Sequence, residues 1–293
     1  MKLNKFFSAA IAVSAAVTVL AGCSGREKGF DYGEYITVVS REDGSGTRGA
    51  FIELMGIEEK KDDGTRTDRT TLEAIITSKT DVMLTNVAGD EYAIGYISLG
   101  SLNDTVKALK IDGVEVSPEN INNGSYKIAR PFNIAIKDDI SPVAQDFIDF
   151  ILSSEGQAVI GKDYIAIDAE AEPYSGSKPK GKAVVAGSSS VSPIMEKLKE
   201  AYEEINTNAA IDIQTSDSTA GMTSVIDGTS DIGMASRSLK DSELQELKPI
   251  TIAMDGIVIV VNKENPLEDL SSEDVKNIYT GEITTWGEIS DGY

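Results

Sequence analysis

Three short stretches of small polar residues have the composition of an anion-binding site. Each follows a β run and precedes a helical pattern, and they read Arg41-Glu-Asp-Gly-Ser-Gly-Thr47, Gly187-Ser-Ser-Ser-Val191 and Ser216-Asp-Ser-Thr-Ala-Gly221. A helix N-terminus offers unpaired N–H groups and the positive end of the helix dipole, and Ser or Thr hydroxyls add neutral donors. Arg41 can bind an oxyanion through two parallel hydrogen bonds. One such turn alone is more typical of a helix cap, but three in one chain favour a shared oxyanion site.

The stretch Gly44-Ser-Gly-Thr-Arg-Gly49 also matches the bare glycine pattern of a dinucleotide-binding turn. In a dinucleotide-binding unit the glycines follow the strand almost at once, whereas the polar residues 40–43 intervene here. The charged segment downstream shows no clear second strand with an acidic end, and the chain has no P-loop lysine pattern. The sequence therefore predicts no nucleotide cofactor.

The composition excludes several kinds of catalysis. The 293 residues contain no histidine and one cysteine, so Ser-His and Cys-His catalysis and histidine-ligated metal sites are ruled out. The formal net charge of −21 argues against nucleic acid as a partner. The same charge means that an anion must be held by local donors. Carboxylates could still run a hydrolysis, but no pair at suggestive spacing stands out among the 48 acidic residues, so an enzyme and a bound metal or cofactor are the less favoured alternatives.

The first 22 residues read as an export signal. Two lysines precede an apolar run from Phe6 to Leu20, which is too short for a comfortable transmembrane helix. The run ends in Leu20-Ala21-Gly22-Cys23, which resembles the lipobox of bacterial lipoproteins, whose cysteine carries lipid and becomes the new N-terminus. We predict a signal peptide over 1–22, a lipidated tether over 23–31, and anchoring through Cys23 at the extracytoplasmic face of the cell membrane.

The rest of the chain alternates β runs with helical patterns, which is typical of α/β sheets, and a parallel sheet is expected in each half. The β runs are 35–39, 93–97, 106–111, 129–136, 183–186, 211–214, 231–235 and 256–261. The helical patterns are 47–54, 194–205, a stretch ending near 228, and one that begins at Pro142 behind the N-cap Ser141. Residues 58–70 are charged and predict a surface loop, and residues 168–182 have the composition of a linker.

Segments along nearly the whole mature chain closely resemble the phosphate-binding proteins of Pst-type ABC transporters. They are Ile36–Phe51, Ala93–Ser98, Phe147–Gln157, Gly187–Val191, Asp231–Arg237 and Asp255–Asn262. The resemblance implies an α/β, periplasmic-binding-protein-like type II fold. In that fold two α/β lobes are joined by a hinge, and a ligand cleft lies between them.

The order of the segments departs from the family. Its members usually reach the Arg-Glu-Asp-Gly-Ser-Gly-Thr motif only after the Gly-Ser-Ser-Ser turn and the Asp-Gly-Ile strand, whereas here that motif comes first. We interpret this as a circular permutation, which is tolerated where chain termini lie close together. The alternative is a rearranged or truncated chain whose partial lobes need another copy. The predicted segments are lobe 2 at 32–128 with 263–293, lobe 1 at 129–167 with 183–262, and the linker at 168–182.

The resemblance also implies the ligand contacts, and Val191 would contribute only its backbone N–H. The contacts are Ser190, Val191, Ser218 and Ser236 from lobe 1, and Arg41, Ser45, Gly46 and Thr47 from lobe 2. Asp43 is expected to pair with Arg41 and hold its guanidinium plane. Ser236 stands where some members have an aspartate that accepts the proton of phosphate, so weaker discrimination against sulfate is expected. Asp217 is either a substitute acceptor or a solvated turn residue.

The function implied by the resemblance is extracytoplasmic capture of inorganic phosphate by a monomeric, lipid-anchored binding protein. The protein would deliver phosphate to the permease subunits of an ABC transporter. Two alternatives stay open: another tetrahedral oxyanion such as sulfate or molybdate, and a phosphate sensor that is not coupled to transport.

Overall fold

The computed structural model describes residues 29–61 and 65–289. The predicted signal peptide and Cys23 therefore lie outside the described residues. No helix within the described ranges combines the length and the apolar character that a membrane span requires.

Strands and helices alternate along most of the chain. The strands are β1 (Thr37–Arg41), β2 (Glu58–Lys60), β3 (Arg66–Asp68), β4 (Ile75–Thr77), β5 (Ala93–Ser98), β6 (Lys107–Ala108), β7 (Lys110–Ile111), β8 (Ala129–Ile136), β9 (Ile165–Ala166), β10 (Gly181–Ser188), β11 (Ala209–Ser216), β12 (Ile232–Ala235), β13 (Lys248–Val261) and β14 (Asp269–Leu270). The α-helices are α1 (Gly46–Leu54), α2 (Thr80–Gly89), α3 (Pro118–Asn122), α4 (Pro142–Leu152), α5 (Ser154–Ile160), α6 (Ser192–Ile205), α7 (Ser218–Ile226), α8 (Asp241–Leu244) and α9 (Ser272–Thr280).

One sheet runs through both halves of the molecule in the order β11-β10-β12-β8-β13-β5-β1-β4. The long strand β13 is shared: its residues 248–256 pair with β8, and its residues 257–261 pair with β5. One apolar core contains Ala253 and side chains of β10, α4 and α6, and a second contains Ile257 and side chains of β1, β5 and α9. These two cores define lobe 1 and lobe 2, respectively.

The chain crosses between the two cores on two neighbouring strands. β13 crosses at Gly256, and β8 begins at Ala129, which is paired with Gly256. Ile128 belongs to the core of lobe 2, whereas Phe132 belongs to the core of lobe 1. A Cβ at Gly256 would lie only 2.7 Å from Ile121 Cδ1, so glycine permits close packing at the crossing. The paired strands have the arrangement of a hinge.

The structure confirms the two-lobed α/β architecture and differs from the sequence predictions in three details. The sheet is mixed rather than parallel, because β13 runs antiparallel to both β8 and β5. Residues 257–261 were assigned to lobe 1 in the predicted boundaries, yet they pack in the core of lobe 2. The predicted loop at 58–70 contains the hairpin β2–β3, in which Arg66 pairs with Glu58 at 2.8 Å.

The predicted linker is held against lobe 1. Residues 168–180 form neither helix nor strand, in agreement with the prediction, but the Tyr174 hydroxyl donates to Asp146 Oδ2 at 2.6 Å. The Pro179 carbonyl accepts a hydrogen bond from Asn206 Nδ2 at 3.0 Å. Residues 181–182, which the prediction gave to the linker, already belong to β10.

The predicted tether is shorter than expected at its C-terminal end. The ring of Phe30 packs against Tyr92 and Trp286 of lobe 2, with ring centroids 5.0 and 6.1 Å apart. Phe30 therefore packs as part of lobe 2, whereas the sequence predicts it in the tether over 23–31.

Candidate oxyanion-binding site

The predicted turns meet in the crevice between the lobes. The turn after β1 leads into α1, the turn after β10 leads into α6, and the turn after β11 leads into α7. Because β1 belongs to lobe 2 and the other two strands belong to lobe 1, the turns approach the crevice from opposite sides. Open α/β sheets bind ligands at this end of their strands.

Hydroxyl groups from the two lobes are in direct contact. Thr47 Oγ1 of lobe 2 lies 2.7 Å from Ser190 Oγ and 3.5 Å from Ser236 Oγ of lobe 1. Ser188 Oγ donates to Ser236 Oγ at 2.9 Å, and the Ser236 N–H donates to Ser218 Oγ at 3.2 Å. None of these side chains is more than 3 % exposed. The structure thus brings four of the predicted contact residues, Thr47, Ser190, Ser218 and Ser236, into one buried cluster.

The N-terminus of α1 faces this cluster. Ser45 caps the helix by accepting a hydrogen bond from the Arg48 N–H at 3.3 Å. Gly46, the first helical residue, approaches lobe 1 so closely that a Cβ there would lie 2.3 Å from Ser218 Oγ and 2.8 Å from Ser236 Oγ. A glycine at this position therefore lets the helix N-terminus reach the hydroxyls of the other lobe.

Arg41 lies at the end of β1 with 2 % of its surface exposed. Its Nε and Nη2 donate to the two carboxylate oxygens of Glu42, each at 2.8 Å. Nη2 also donates to Ser189 Oγ of lobe 1 at 3.1 Å, and Nη1 donates to Thr80 Oγ1 at 3.4 Å. The bidentate pair with Glu42 fixes the plane of the guanidinium and balances its charge.

The prediction that Asp43 pairs with Arg41 is wrong. The Asp43 side chain is 97 % exposed and pairs with Arg48 Nη1 at 3.2 Å. Asp43 lies further along the turn, where its short side chain points away from the crevice. Glu42 has the longer side chain and directly follows Arg41, so it reaches the guanidinium.

The backbone of Arg41 is held by a buried tyrosine. The Arg41 N–H donates to Tyr96 Oη at 3.0 Å, and Ser40 Oγ lies 2.9 Å from the same oxygen. Burial raises the pKa of Tyr96, so its hydroxyl stays protonated. The Tyr96 ring stacks on Phe51 of α1 with centroids 4.0 Å apart. This contact ties the end of β1 to the helix that follows it.

Two other predicted residues have backbone or capping roles here. Asp217 caps α7 by accepting from the Ala220 N–H at 2.8 Å, and a Cβ at Gly44 of the other lobe would lie 2.4 Å from its Oδ1. The buried Val191 donates its N–H to the Ser188 carbonyl at 3.0 Å, so that N–H is not free in this arrangement.

Four residues of the site were missed by the sequence reasoning, namely Glu42, Thr80, Ser188 and Ser189. Thr80 follows β4 in the turn Thr77-Ser-Lys-Thr80, which repeats the design of the other three turns. The signal was therefore present in the sequence. Ser188 ends β10 and Ser189 begins the turn that follows it, and only the structure shows that each has a polar contact in the crevice.

The arrangement can hold an anion by hydrogen bonds alone. It combines the guanidinium of Arg41, several buried hydroxyls and helix N-termini from both lobes. Within residues 29–61 and 65–289, no group of Asp, Glu, His or Cys side chains has the geometry to hold a metal ion. A tetrahedral oxyanion has acceptors in enough directions to engage donors on both sides of the crevice.

Comparison with known proteins places the chain in a defined class. The family model described as "PBP superfamily domain" matches residues 29–155 and 172–292, so the chain belongs to that superfamily of two-lobed binding proteins. The chain is 52 % identical to "Phosphate-binding protein PstS 2" of Streptococcus agalactiae, over 99 % of this chain and 100 % of the relative. Within the superfamily, it therefore belongs to the PstS family of phosphate-binding proteins.

Two further comparisons agree with this assignment. "Phosphate-binding protein PstS 2" of Streptococcus pneumoniae is 43 % identical over 99 % of this chain and 100 % of the relative. The crystal structure of a phosphate-binding protein of a phosphate ABC transporter from Streptococcus pneumoniae superimposes with a TM-score of 0.69 and 44 % identity. That match covers 88 % of this chain and 100 % of the solved chain, and it confirms the fold implied by the sequence resemblance.

Proposed function

We propose that this protein captures inorganic phosphate between its lobes and delivers it to the permease of an ABC transporter. The observation that carries the proposal is the buried contact between Arg41, Thr47 and the serine hydroxyls of lobe 1. The relatives named as phosphate-binding proteins support the same ligand. In this proposal the ligand takes the place of the direct contacts between lobes and is bound by Arg41, Ser45, Gly46, Thr47, Ser190, Val191, Ser218 and Ser236.

Removal of Arg41 tests the site. In Arg41→Ala, phosphate affinity measured by titration calorimetry should fall by about 100-fold or more, because two charge-assisted hydrogen bonds at about 1.5–3 kcal/mol each are lost. Arg41→Lys keeps the positive charge but lacks the paired N–H donors of a guanidinium, so it should lose less phosphate affinity than Arg41→Ala. The matched control is Arg69→Ala, which removes an exposed arginine paired with Glu59 at 3.1 Å and should leave affinity unchanged. Wild-type affinity in Arg41→Ala would refute the proposed site.

A second candidate ligand is another tetrahedral oxyanion such as sulfate or molybdate. Ser236 favours this alternative because its hydroxyl can both accept and donate, so it does not repel an unprotonated anion as a carboxylate would. Competition titrations at neutral pH distinguish the candidates. We expect phosphate to displace sulfate and molybdate, and equal affinity for sulfate would contradict the phosphate assignment.

The extracytoplasmic, membrane-bound location is part of the proposal. Its basis is the signal-like segment and the Leu-Ala-Gly-Cys sequence that ends at Cys23. Cells grown with a labelled fatty acid should incorporate the label into the wild-type protein and not into Cys23→Ser. Absence of label from the wild-type protein would contradict lipid anchoring. A phosphate-uptake assay in a strain lacking this protein distinguishes transport from sensing. Uptake should fall if the protein delivers phosphate to a permease, and it should stay unchanged if the protein only senses phosphate.

A further inference from the structure

A fully buried ion pair lies where the two lobes are joined. Arg130 of β8 and Asp255 of β13 are paired in the strand register next to the crossing at Gly256. Arg130 Nε and Nη2 both donate to Asp255 Oδ2, at 3.1 and 3.0 Å. The two residues are 2 % and 0 % exposed.

Each partner of the pair also contacts a different lobe. Asp255 Oδ1 accepts from Ser98 Oγ at 2.8 Å and from the Leu99 N–H at 3.1 Å, at the end of β5 in lobe 2. Arg130 Nη1 donates to the carbonyl oxygen of Ser236 in lobe 1 at 3.1 Å. A continuous chain of hydrogen bonds therefore runs from lobe 2, through both hinge strands, to a residue of the candidate phosphate site.

Stability alone gives little reason for such a pair. Taking two charges out of water is costly, and apolar residues of similar volume often replace a buried ion pair without loss of stability. Arg130 also lies over the ring of Phe132, with its guanidinium carbon 5.4 Å from the ring centroid. Burial raises the pKa of Asp255 to about 6 against the lowering effect of Arg130, so the carboxylate is ionised at neutral pH. What the charged pair provides is a set of directed bonds that an apolar pair cannot make.

We propose that Arg130 and Asp255 are a positioning pair for phosphate binding. The pair holds Ser236 in a fixed position relative to the two hinge strands. The inference rests on the proposed phosphate site. Arg130 fixes the Ser236 carbonyl, and the hydroxyl of the same residue contacts Ser188 and Thr47. Asp255 holds Arg130 and is itself held by lobe 2. Any change in the angle between the hinge strands is therefore transmitted to the Ser236 turn.

Two variants test the proposal. Arg130→Lys keeps a positive charge beside Asp255, but a single ammonium group does not have the planar fork that serves both Asp255 and the Ser236 carbonyl. Arg130→Met combined with Asp255→Leu removes both charges and leaves no buried ion unpaired. In both folded proteins we expect the Kd for phosphate, measured by titration calorimetry, to rise by about tenfold.

The matched control is Tyr126→Phe, in the same hinge region. Tyr126 is buried, and its hydroxyl donates to the Ile257 carbonyl at 2.7 Å without contacting Arg130 or Ser236. Loss of this bond should lower the thermal unfolding temperature and leave phosphate affinity within about twofold of wild type. A tenfold affinity loss in Tyr126→Phe as well would show that any hinge damage weakens binding, and it would overturn the specific role of Arg130.

A double-mutant cycle separates positioning from general structural support. If Arg130 acts through Ser236, the affinity losses of Arg130→Lys and Ser236→Ala should not add, and the combined variant should bind about as weakly as Ser236→Ala alone. Additive losses, or wild-type affinity in the folded Arg130 variants, would overturn the proposal. Failure of this positioning proposal can be told apart from failure of the proposed function. If the proposed function is wrong, the wild-type protein will bind no phosphate, or Arg41→Ala will bind phosphate normally.

Discussion

At the scale of single residues, the guanidinium of Arg41 is held in a fixed direction in the crevice. The side chain is held by Glu42 on one edge, while Nη1 and Nη2 extend toward Thr80 and Ser189. Its orientation is therefore set before any ligand arrives. A donor that is already oriented loses less side-chain freedom when it binds an anion.

We predict that Glu42→Ala weakens phosphate binding by about tenfold, because the guanidinium loses the bidentate partner that orients it. Asp43→Ala is the control, since its carboxylate is 97 % exposed and pairs with Arg48 rather than with Arg41. The control should change the Kd by less than about twofold. Titration calorimetry on both variants decides between the two carboxylates. A larger effect from Asp43→Ala would restore the pairing expected from the sequence.

At the scale of elements, helix α1 is the part of lobe 2 that closes on lobe 1. Its first residue, Gly46, lies against Ser218 of α7 and Ser236 after β12. Gly49, one turn further along, faces open space apart from Arg237, whose Cδ would lie 3.8 Å from an added Cβ. Neither glycine has a positive φ, so an alanine at either position tests space rather than backbone strain.

Gly46→Ala should lower phosphate affinity by more than about tenfold, because its methyl group would overlap the hydroxyl oxygens of lobe 1 and hold the lobes apart. The dissociation rate should carry most of the change. Gly49→Ala in the same helix should bind phosphate normally and raise stability by up to about 1 kcal/mol, because alanine favours a helix. Stopped-flow measurements and thermal unfolding check both expectations. Equal phosphate affinity in the two variants would contradict the close approach at Gly46.

The elements were predictable from the sequence where their signals are local. The strand Ala129–Ile136 and the cap of α4 by Ser141 were predicted correctly, since the apolar run and the Ser-Pro pair mark them directly. The β runs and turns that lead to Arg41, Ser190 and Ser218 were also predicted, whereas β4 and the turn to Thr80 were not. The sequence could not decide between Glu42 and Asp43, because two adjacent carboxylates are equivalent until the direction of the turn is known. The sequence also did not show that β13 belongs to both lobes, because an apolar segment has the same residue pattern whichever core it is buried in.

At the scale of the whole molecule, the two ends of the described chain lie side by side on lobe 2. The Tyr32 carbonyl accepts from the Gly287 N–H at 2.7 Å, and the Ile36 N–H donates to the Thr284 carbonyl at 2.8 Å. Tyr293, which the permutation hypothesis places near Tyr32, lies outside the described residues. Circular permutation itself stays a prediction, and it has a consequence for the whole fold that can be tested. The molecule should tolerate a chain that is joined at lobe 2 and opened in the linker of lobe 1.

We predict that a chain joined from residue 289 to residue 32 by a short Gly/Ser loop, and opened between Ser177 and Lys178, folds and binds phosphate within about threefold of wild type. Both residues at the opening are exposed, and Tyr174 and Pro179 keep their contacts with lobe 1. The control has the same join but is opened between Asp255 and Gly256. It should fail to bind, because that opening cuts the strand that the two lobes share. Circular dichroism and phosphate titration report fold and function separately. If the linker-opened chain folds poorly while the uncut protein is stable, the order of segments matters for folding and the permutation hypothesis loses its physical basis.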